Sequence, residues 1–345
     1  MKTANLLFLA LSAVGLLFGG YFAIEEWFIE PSFATNDAMI WTLPLVAYIF
    51  LALSSTGVSI VLTSGELLNN KVIKAHKPAL LLAAISLLIG AFASLATELG
   101  SFLHVFWLLL TPNLSSPIWW MGTLYSIELA LLGMKFYALV SQRQFSFERW
   151  LSVGTLCVAV CASLVLGSVF GTAIGRAAFS GVDASVLMLL CALASGLCIA
   201  PMLISQQQRE QLLFPARLVL GVLALFLLVK YVYLARSSVM AEVPWTALWM
   251  PALLIVALVS AKTSSAITAV IAMPVLLLVE LSFVIQGQIH VLGPKQSWFG
   301  ALLQYQPNSA ELGILAFGCS VAYLCYFVLN KVVGNSEPAL SESVA

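Results

Sequence analysis

The sequence predicts an all-α integral membrane protein of about ten transmembrane helices. Three observations carry that prediction. Of the 345 residues, 61% are hydrophobic and 9% charged, and the mean hydropathy is +1.03, well above the apolar share of a soluble domain. Uncharged runs long enough to cross ~30 Å of hydrocarbon, roughly 20 residues at about 1.5 Å each, recur along the whole chain. These runs lack the short alternation of barrel strands, and in hydrocarbon only helices or a closed barrel satisfy the backbone.

Spans are expected at 4–24, 39–64, 78–98, 117–140, 151–171, 184–204, 215–236, 246–261, 266–286 and 310–332. The first follows Met1-Lys2. Its apolar stretch is too long for a signal-peptide core, and Tyr21 to Glu26 offers no small-residue cleavage site, so it reads as retained. Residues 1–332 then form a single transmembrane domain, and the tail over 333–345 reads as disordered and cytoplasmic.

Orientation follows from the cations. Lys2, Lys71, Lys74, Lys77, Arg143, Arg149, Arg209, Arg217, Lys262 and Lys331 all fall on one side of a ten-span arrangement. The other side holds Arg176, Arg236 and Lys295, and its first loop is acidic through Glu25, Glu26, Glu30 and Asp37. The side rich in lysine and arginine is expected to be cytoplasmic, with both termini on it. A net charge of zero gives no sign of a nucleic-acid partner.

Cys157, Cys161, Cys191, Cys198, Cys319 and Cys325 all lie inside expected spans without a CxxC pair, which reads as apolar filler rather than disulfides or an iron–sulfur centre. A membrane haem needs two facing histidines. His76 falls in an expected loop and His104 and His290 near the outer edge, so no haem is expected, a single one between the last two being the one arrangement left open.

Ionisable groups at membrane depth cost several kcal/mol unless paired or wet, so each is a candidate functional residue. Glu98, Lys230 and Glu280 fall in the outer parts of their spans, where His104, Arg176 and Arg236 gather too. For Lys230, snorkelling to the outer interface is the plainer reading. Glu128 lies about eleven residues, ~16 Å, into its span, near the midplane. Tyr125 shares its face, and Lys135 lies two turns on along the same stripe, ~10 Å away. Glu128 reads either as a carrier of protons along a chain of waters or as an interhelical hydrogen-bonding group that only aids packing.

Trp27, Trp41, Trp107, Trp119, Trp120, Trp245, Trp249 and Trp298 map to the outer side, with Trp150 alone at the inner interface. Plain interfacial anchoring needs both sides. The excess suggests a docking surface or an aromatic-lined pocket for a flat ring.

Several stretches resemble the membrane subunit of polysulfide reductase and its relatives, the NrfD/PsrC family. The stretch "ATELGSFLHVFWLLLTPNLSSPIWW", 96–120, is similar to that family's acid-containing helix end, following histidine and Ser-Pro-Ile-Trp-Trp helix start, with Glu98, His104, Pro117, Trp119 and Trp120 on matching types. The segment "WTLPLVAYIFLALSSTG", 41–57, resembles its first core helix, with Tyr48 where some members place a quinone-contacting histidine. "GSVFGTAIGRAAFSG", 167–181, resembles a helix end bearing an arginine, here Arg176, and "VIQGQ", 284–288, its Gly-Gln signature. Two positions depart. Val165 stands where members carry a quinone-site tyrosine, and Glu280 stands where an arginine precedes the final glutamine by eight residues.

The resemblance implies a pair of four-helix bundles over a core of about 39–286, with 4–24 and 310–332 as two extra helices. It implies a quinone site near the outer face, for menaquinone or ubiquinone, drawing on Tyr48, Glu98, His104 and Arg176. It also implies no haem or iron–sulfur cluster in this chain, and electron exchange with a periplasmic iron–sulfur subunit that serves a molybdopterin catalytic subunit at the bacterial inner membrane. Quinone chemistry moves protons as well as electrons, and Glu128, Tyr125, Lys135 and Glu280 are the candidates to carry them. A ten-helix secondary transporter and a structural anchor without quinone activity are the alternatives. The first is disfavoured by the lack of an internal repeat and by Pro44, Pro201, Pro251 and Pro274 lying mostly nearer span ends.

Overall fold

The computed structural model describes residues 2–99, 103–143, 145–173, 176, 178–179, 181–205, 208–236, 251, 254–255, 265–289, 296–299 and 303–336. All regular structure among them is helical. The helices are α1 (Lys2–Phe28), α2 (Leu43–Leu67), α3 (Lys71–Ala75), α4 (Lys77–Glu98), α5 (Leu103–Leu110), α6 (Pro117–Ser141), α7 (Glu148–Gly171), α8 (Asp183–Leu203), α9 (Glu210–Arg236), α10 (Ser265–Ile289), α11 (Gln296–Phe299) and α12 (Ser309–Ser336). Nine helices among the described residues have the length and hydropathy to cross a membrane. Most of the expected span 246–261, Trp249 included, lies outside the described residues, as do Trp245, His290, Lys295 and 337–345. Residues 333–336, expected as disordered tail, are the last turn of α12.

Local chemistry sets several boundaries. Ser116 caps α6, its hydroxyl accepting from Trp119 N at 3.4 Å, and Pro117 begins the helix where no intrahelical donor is lost. The same helix stops where Gln142 turns left-handed at φ 52°. Asn70 caps α3 by accepting from Val72 N and Ile73 N. That short helix turns the chain between α2 and α4.

The core is built around α2. It packs against α4, α7, α8, α10 and α12, and most of its side chains, Tyr48, Ser55, Thr56 and Ser59 among them, are buried. With α4, α6 and α7 it closes a ring of four neighbours, and α8 joins this ring to α9 and α10. α1 packs chiefly on α12, antiparallel, with Phe8 against Tyr323 and Gly19 against Gly313. The start of α1 and the end of α12 therefore lie at the same end of the bundle.

That end is the basic one, bearing Lys71, Lys74, Lys77, Arg143, Arg149 and Arg209. The opposite, acidic end carries Glu25, Glu26, Glu30, Asp37 and Glu311. α9 and α10 run in the same direction. Lys230 of α9 meets Asp183, and Gly287 of α10 meets Arg176, both at the acidic end. Outward-facing Leu7, Leu11, Leu17, Phe214, Leu225 and Val270 give the belt an apolar surface fit for lipid.

Two helices approach this closely only where no side chain intervenes. A Cβ on Gly57 of α2 would overlap the carbonyl oxygen of Ala192, and one on Gly196 of α8 would overlap Gly57 itself. Nothing lies within 4 Å of a Cβ placed on Gly133. We predict that Gly57→Leu lowers the melting temperature of the detergent-solubilised protein, with a loss of about 1–3 kcal/mol or more from overpacking, whereas Gly133→Ala leaves it unchanged. Equal melting of Gly57→Leu and the unaltered chain would contradict the close α2–α8 contact.

Candidate proton path and acidic-end site

α2 and α6 face each other across the four-helix ring and run in the same direction, from the acidic end to the basic end. Each carries polar residues at helical spacing on one face: Thr56, Ser59, Thr63 and Glu66 on α2, Tyr125, Glu128 and Lys135 on α6, with Leu132 completing the α6 stripe. The two faces meet. Thr56 Oγ1 donates to Glu128 Oε2 at 3.2 Å, and Lys135 Nζ donates to Glu66 Oε2. α6 is otherwise poorly buried, and its buried residues are Met121, Gly122, Tyr125, Glu128, Leu132 and Lys135. Its polar groups therefore lie on its thin inward stripe rather than toward lipid.

The upper part of this seam is a buried cluster. The Tyr48 and Tyr125 rings meet edge to face at 6.1 Å, Glu128 is an electrostatic neighbour of both phenols, and Ser59 lies beside the same carboxylate. Glu280 reaches the cluster from α10, near enough for its charge to act on Tyr125 and on the Cys191 thiol. Tyr48 OH, Tyr125 OH, Glu128 Oε1 and both Glu280 oxygens are buried with no hydrogen-bond partner among the described residues. Buried polar atoms in native folds are nearly always bonded, so these five atoms form one concentrated polar patch inside the bundle.

The lower part is an ion cluster. Glu66 pairs with Lys135 and, at 3.0 Å, with Lys77, which pairs in turn with Glu148 at 2.6 Å. Ser152 donates to Glu66 at 2.7 Å and accepts from Lys135 at 2.8 Å. Side-chain exposure falls along the series, from 51% at Glu148 and 24% at Lys77 to 9% at Glu66 and 1% at Lys135. A cavity of about 500 Å³, lined by Glu66, Lys74, Lys77, Glu148, Arg149 and Ser152, opens this cluster to the basic end. Lys135, expected to face Glu128 across a gap, is instead held by Glu66 and Ser152, and Thr63 lies on α2 between the two levels.

At the acidic end the expected quinone-site residues occupy three separate places, with Tyr48 in the buried cluster. Glu98, at the end of α4, is an electrostatic neighbour of Glu26 and Glu311. His104 is exposed on α5, its Nδ1 2.6 Å from the carbonyl of Leu99, and no hydrogen bond or ion pair joins it to Glu98. Arg176 donates to Gly287 O at 3.0 Å and Ala38 O at 3.5 Å, and partial burial lowers its pKa. Beside it Trp41, Phe170, Phe179 and Phe283 form one aromatic cluster. Lys230, expected to snorkel, binds Asp183 at 2.7 Å and lies over the Phe283 ring at 4.9 Å.

Glu311 was not expected from the sequence and is central here. It accepts from Ala34 N at 3.1 Å, from Tyr305 OH at 2.9 Å and from Asn308 N at 3.1 Å. Burial and the adjacent Glu311 charge raise the Tyr305 pKa. The outer tryptophans divide. Trp41 is half-buried against the core, Trp27 donates to Ala96 O, and Trp107, Trp120 and Trp298 are exposed. The cysteines divide too. Cys191 and Cys198 are the buried filler expected, whereas Cys157, Cys161 and Cys319 face outward. Among the described residues no three His, Cys, Asp or Glu side chains converge as metal ligands.

The ion cluster makes a stability prediction. Removing one partner of a buried ion pair strands the other charge, at a cost of about 3–5 kcal/mol. Lys135→Met is therefore expected to destabilise the protein strongly in chemical unfolding, and the double variant Lys135→Met/Glu66→Gln to recover much of that loss. Additive effects of the two substitutions would show that they are not coupled. Compared with known proteins, the chain matches no family model and no curated protein.

Proposed function

We propose that the chain is the quinone-linked membrane subunit of a bacterial respiratory oxidoreductase, of the NrfD/PsrC kind, and that it carries protons between its basic end and the middle of the bundle. The observation that carries the proton half is the buried α2–α6 seam. It begins at a water-accessible cavity and continues through Glu66, Lys135 and Ser152 toward Glu128, Tyr125 and Tyr48. Carboxylates, phenols and hydroxyls both hold and hand on protons. Placing several of them at membrane depth costs free energy that apolar or small residues would not, which favours use over anchoring. The lysine and arginine excess supports a cytoplasmic location for the cavity end.

The quinone half rests on the motif resemblance, which supplies the periplasmic iron–sulfur and molybdopterin partners and the inner-membrane location. The described spans are continuous helices, without the midplane interruptions on which secondary transporters build their sites. Reconstituting the chain in vesicles with its co-purifying subunits, and following quinol oxidation together with an internal pH dye, tests the reading. Glu128→Gln keeps the shape and the hydrogen-bonding capacity but cannot carry a proton. It is expected to cut proton movement by about 10²-fold or more, the usual scale for a lost acid–base group, with quinol binding retained. Unchanged proton movement in Glu128→Gln would falsify the path, and absence of any quinol binding by the chain would remove the quinone assignment.

A further inference from the structure

The outer face of α10 makes one wall of a groove that the seam does not use. Leu278, Leu281, Ile285 and Ile289 line it at helical spacing, and residues 303–307 form the facing wall, enclosing about 420 Å³. The loop wall is fixed in place. Leu303 N donates to Ile289 O at 2.9 Å, and the Tyr305 hydroxyl accepts from Leu43 N at 3.0 Å while donating to Glu311. Ser282, Gln286, Gln304, Gln306 and Tyr305 supply the polar groups of the lining, and Gln286 Nε2 donates to Ser282 Oγ at 2.6 Å.

We propose that this groove binds the head and first tail units of a membrane quinol. This rests on the quinone-linked reading above, and it moves the ligand away from the motif residues to a pocket walled by the segment leading into α12. Two features select the occupant. The apolar wall runs down α10 from the acidic end toward the middle of the bundle, as a hydrocarbon tail requires. Among the described residues the polar lining consists of amides and hydroxyls without a cation, so a phosphate head would lose its hydration and gain no countercharge from them. A neutral head carrying carbonyls or hydroxyls meets matching donors and acceptors. Tyr305 is the positioning contact, since its phenol joins the groove to Glu311.

The test is a fluorescence titration of the purified full-length chain in detergent with the quinol analogue 2-heptyl-4-hydroxyquinoline N-oxide. Leu278→Trp, from an exposed position, and Ile285→Trp, from a buried one, place an indole in the groove from its α10 wall, and each should weaken binding at least about tenfold. Gln286→Leu should weaken it about fivefold, the scale of one hydrogen bond. Val270→Trp, on the exposed face of the same helix near its other end, should bind as the unaltered chain does, and melting curves without ligand establish that each variant is folded. Unaltered affinity in both Ile285→Trp and Leu278→Trp overturns the proposal. Displacement of the analogue by excess phosphatidylglycerol as readily as by ubiquinone-1 overturns it too, since the groove would then be a general lipid site. If the unaltered chain does not bind the analogue at all, the quinone-linked reading itself fails, an outcome distinct from binding that ignores the groove.

Discussion

Glu66 accepts from Lys77, Lys135 and Ser152 at once, so a single carboxylate near the end of α2 joins that helix to α4, α6 and α7. A charge this little exposed needs compensation, because burial strips away the hydration that water would otherwise supply. The requirement fixes more than one contact. It holds the axial register of α6 against α2, and with that register set, Glu128 falls opposite Thr56 and Tyr125 opposite Tyr48. The polar face of each helix is thus covered by the polar face of the other. Neither is presented to lipid, where it would be costly.

The two ends of the molecule solve different problems. At the basic end, opposite charges alternate and neutralise one another around a cavity open to water. At the acidic end the carboxylates of Glu26, Glu98 and Glu311 neighbour one another. There, backbone amides and the Tyr305 hydroxyl do the compensating: Ser32 N donates to Glu26, and Ala34 N and Asn308 N donate to Glu311. Charge-assisted bonds to backbone donors can hold a carboxylate without a cation. Arg176, a cation at this end, is engaged with two carbonyls instead.

Much of the helical layout was legible in the sequence, because a span needs only length and hydropathy. The boundaries of α4, α6 and α8 differ from the expected ones by no more than a residue, whereas α1, α9 and α12 extend further. Their extra residues are largely polar or aromatic, as in Glu25 to Phe28 and in Asn335 and Ser336, and a hydropathy criterion stops short of them. Tyr125 and Glu128 were legible as one face, and the structure brings Tyr48 to them. The partner of Lys135 was not identified, although the spacing Thr56, Ser59, Thr63, Glu66 repeats that of Tyr125, Glu128, Leu132, Lys135. That repeated interval was the available signal that two polar stripes belong together. Tyr305 and Glu311 gave no such signal, since their pairing depends on how a loop folds back onto Leu43 and Ala34.

The burial of α2 also bears on how the protein is made. A ribosome delivers α2 early, while α7, α8, α10 and α12, which cover it, are synthesised afterwards. Lys77 follows Glu66 almost at once, whereas Lys135 arrives only 69 residues after it. The hairpin of α2, α3 and α4 therefore enters the translocon with its own counterion, and Lys77 can neutralise the carboxylate until α6 brings the second ammonium. Nascent α2 still has Thr56, Ser59 and Gly57 uncovered at that stage, which makes it a segment to be chaperoned or retained near the insertion machinery until its later neighbours emerge.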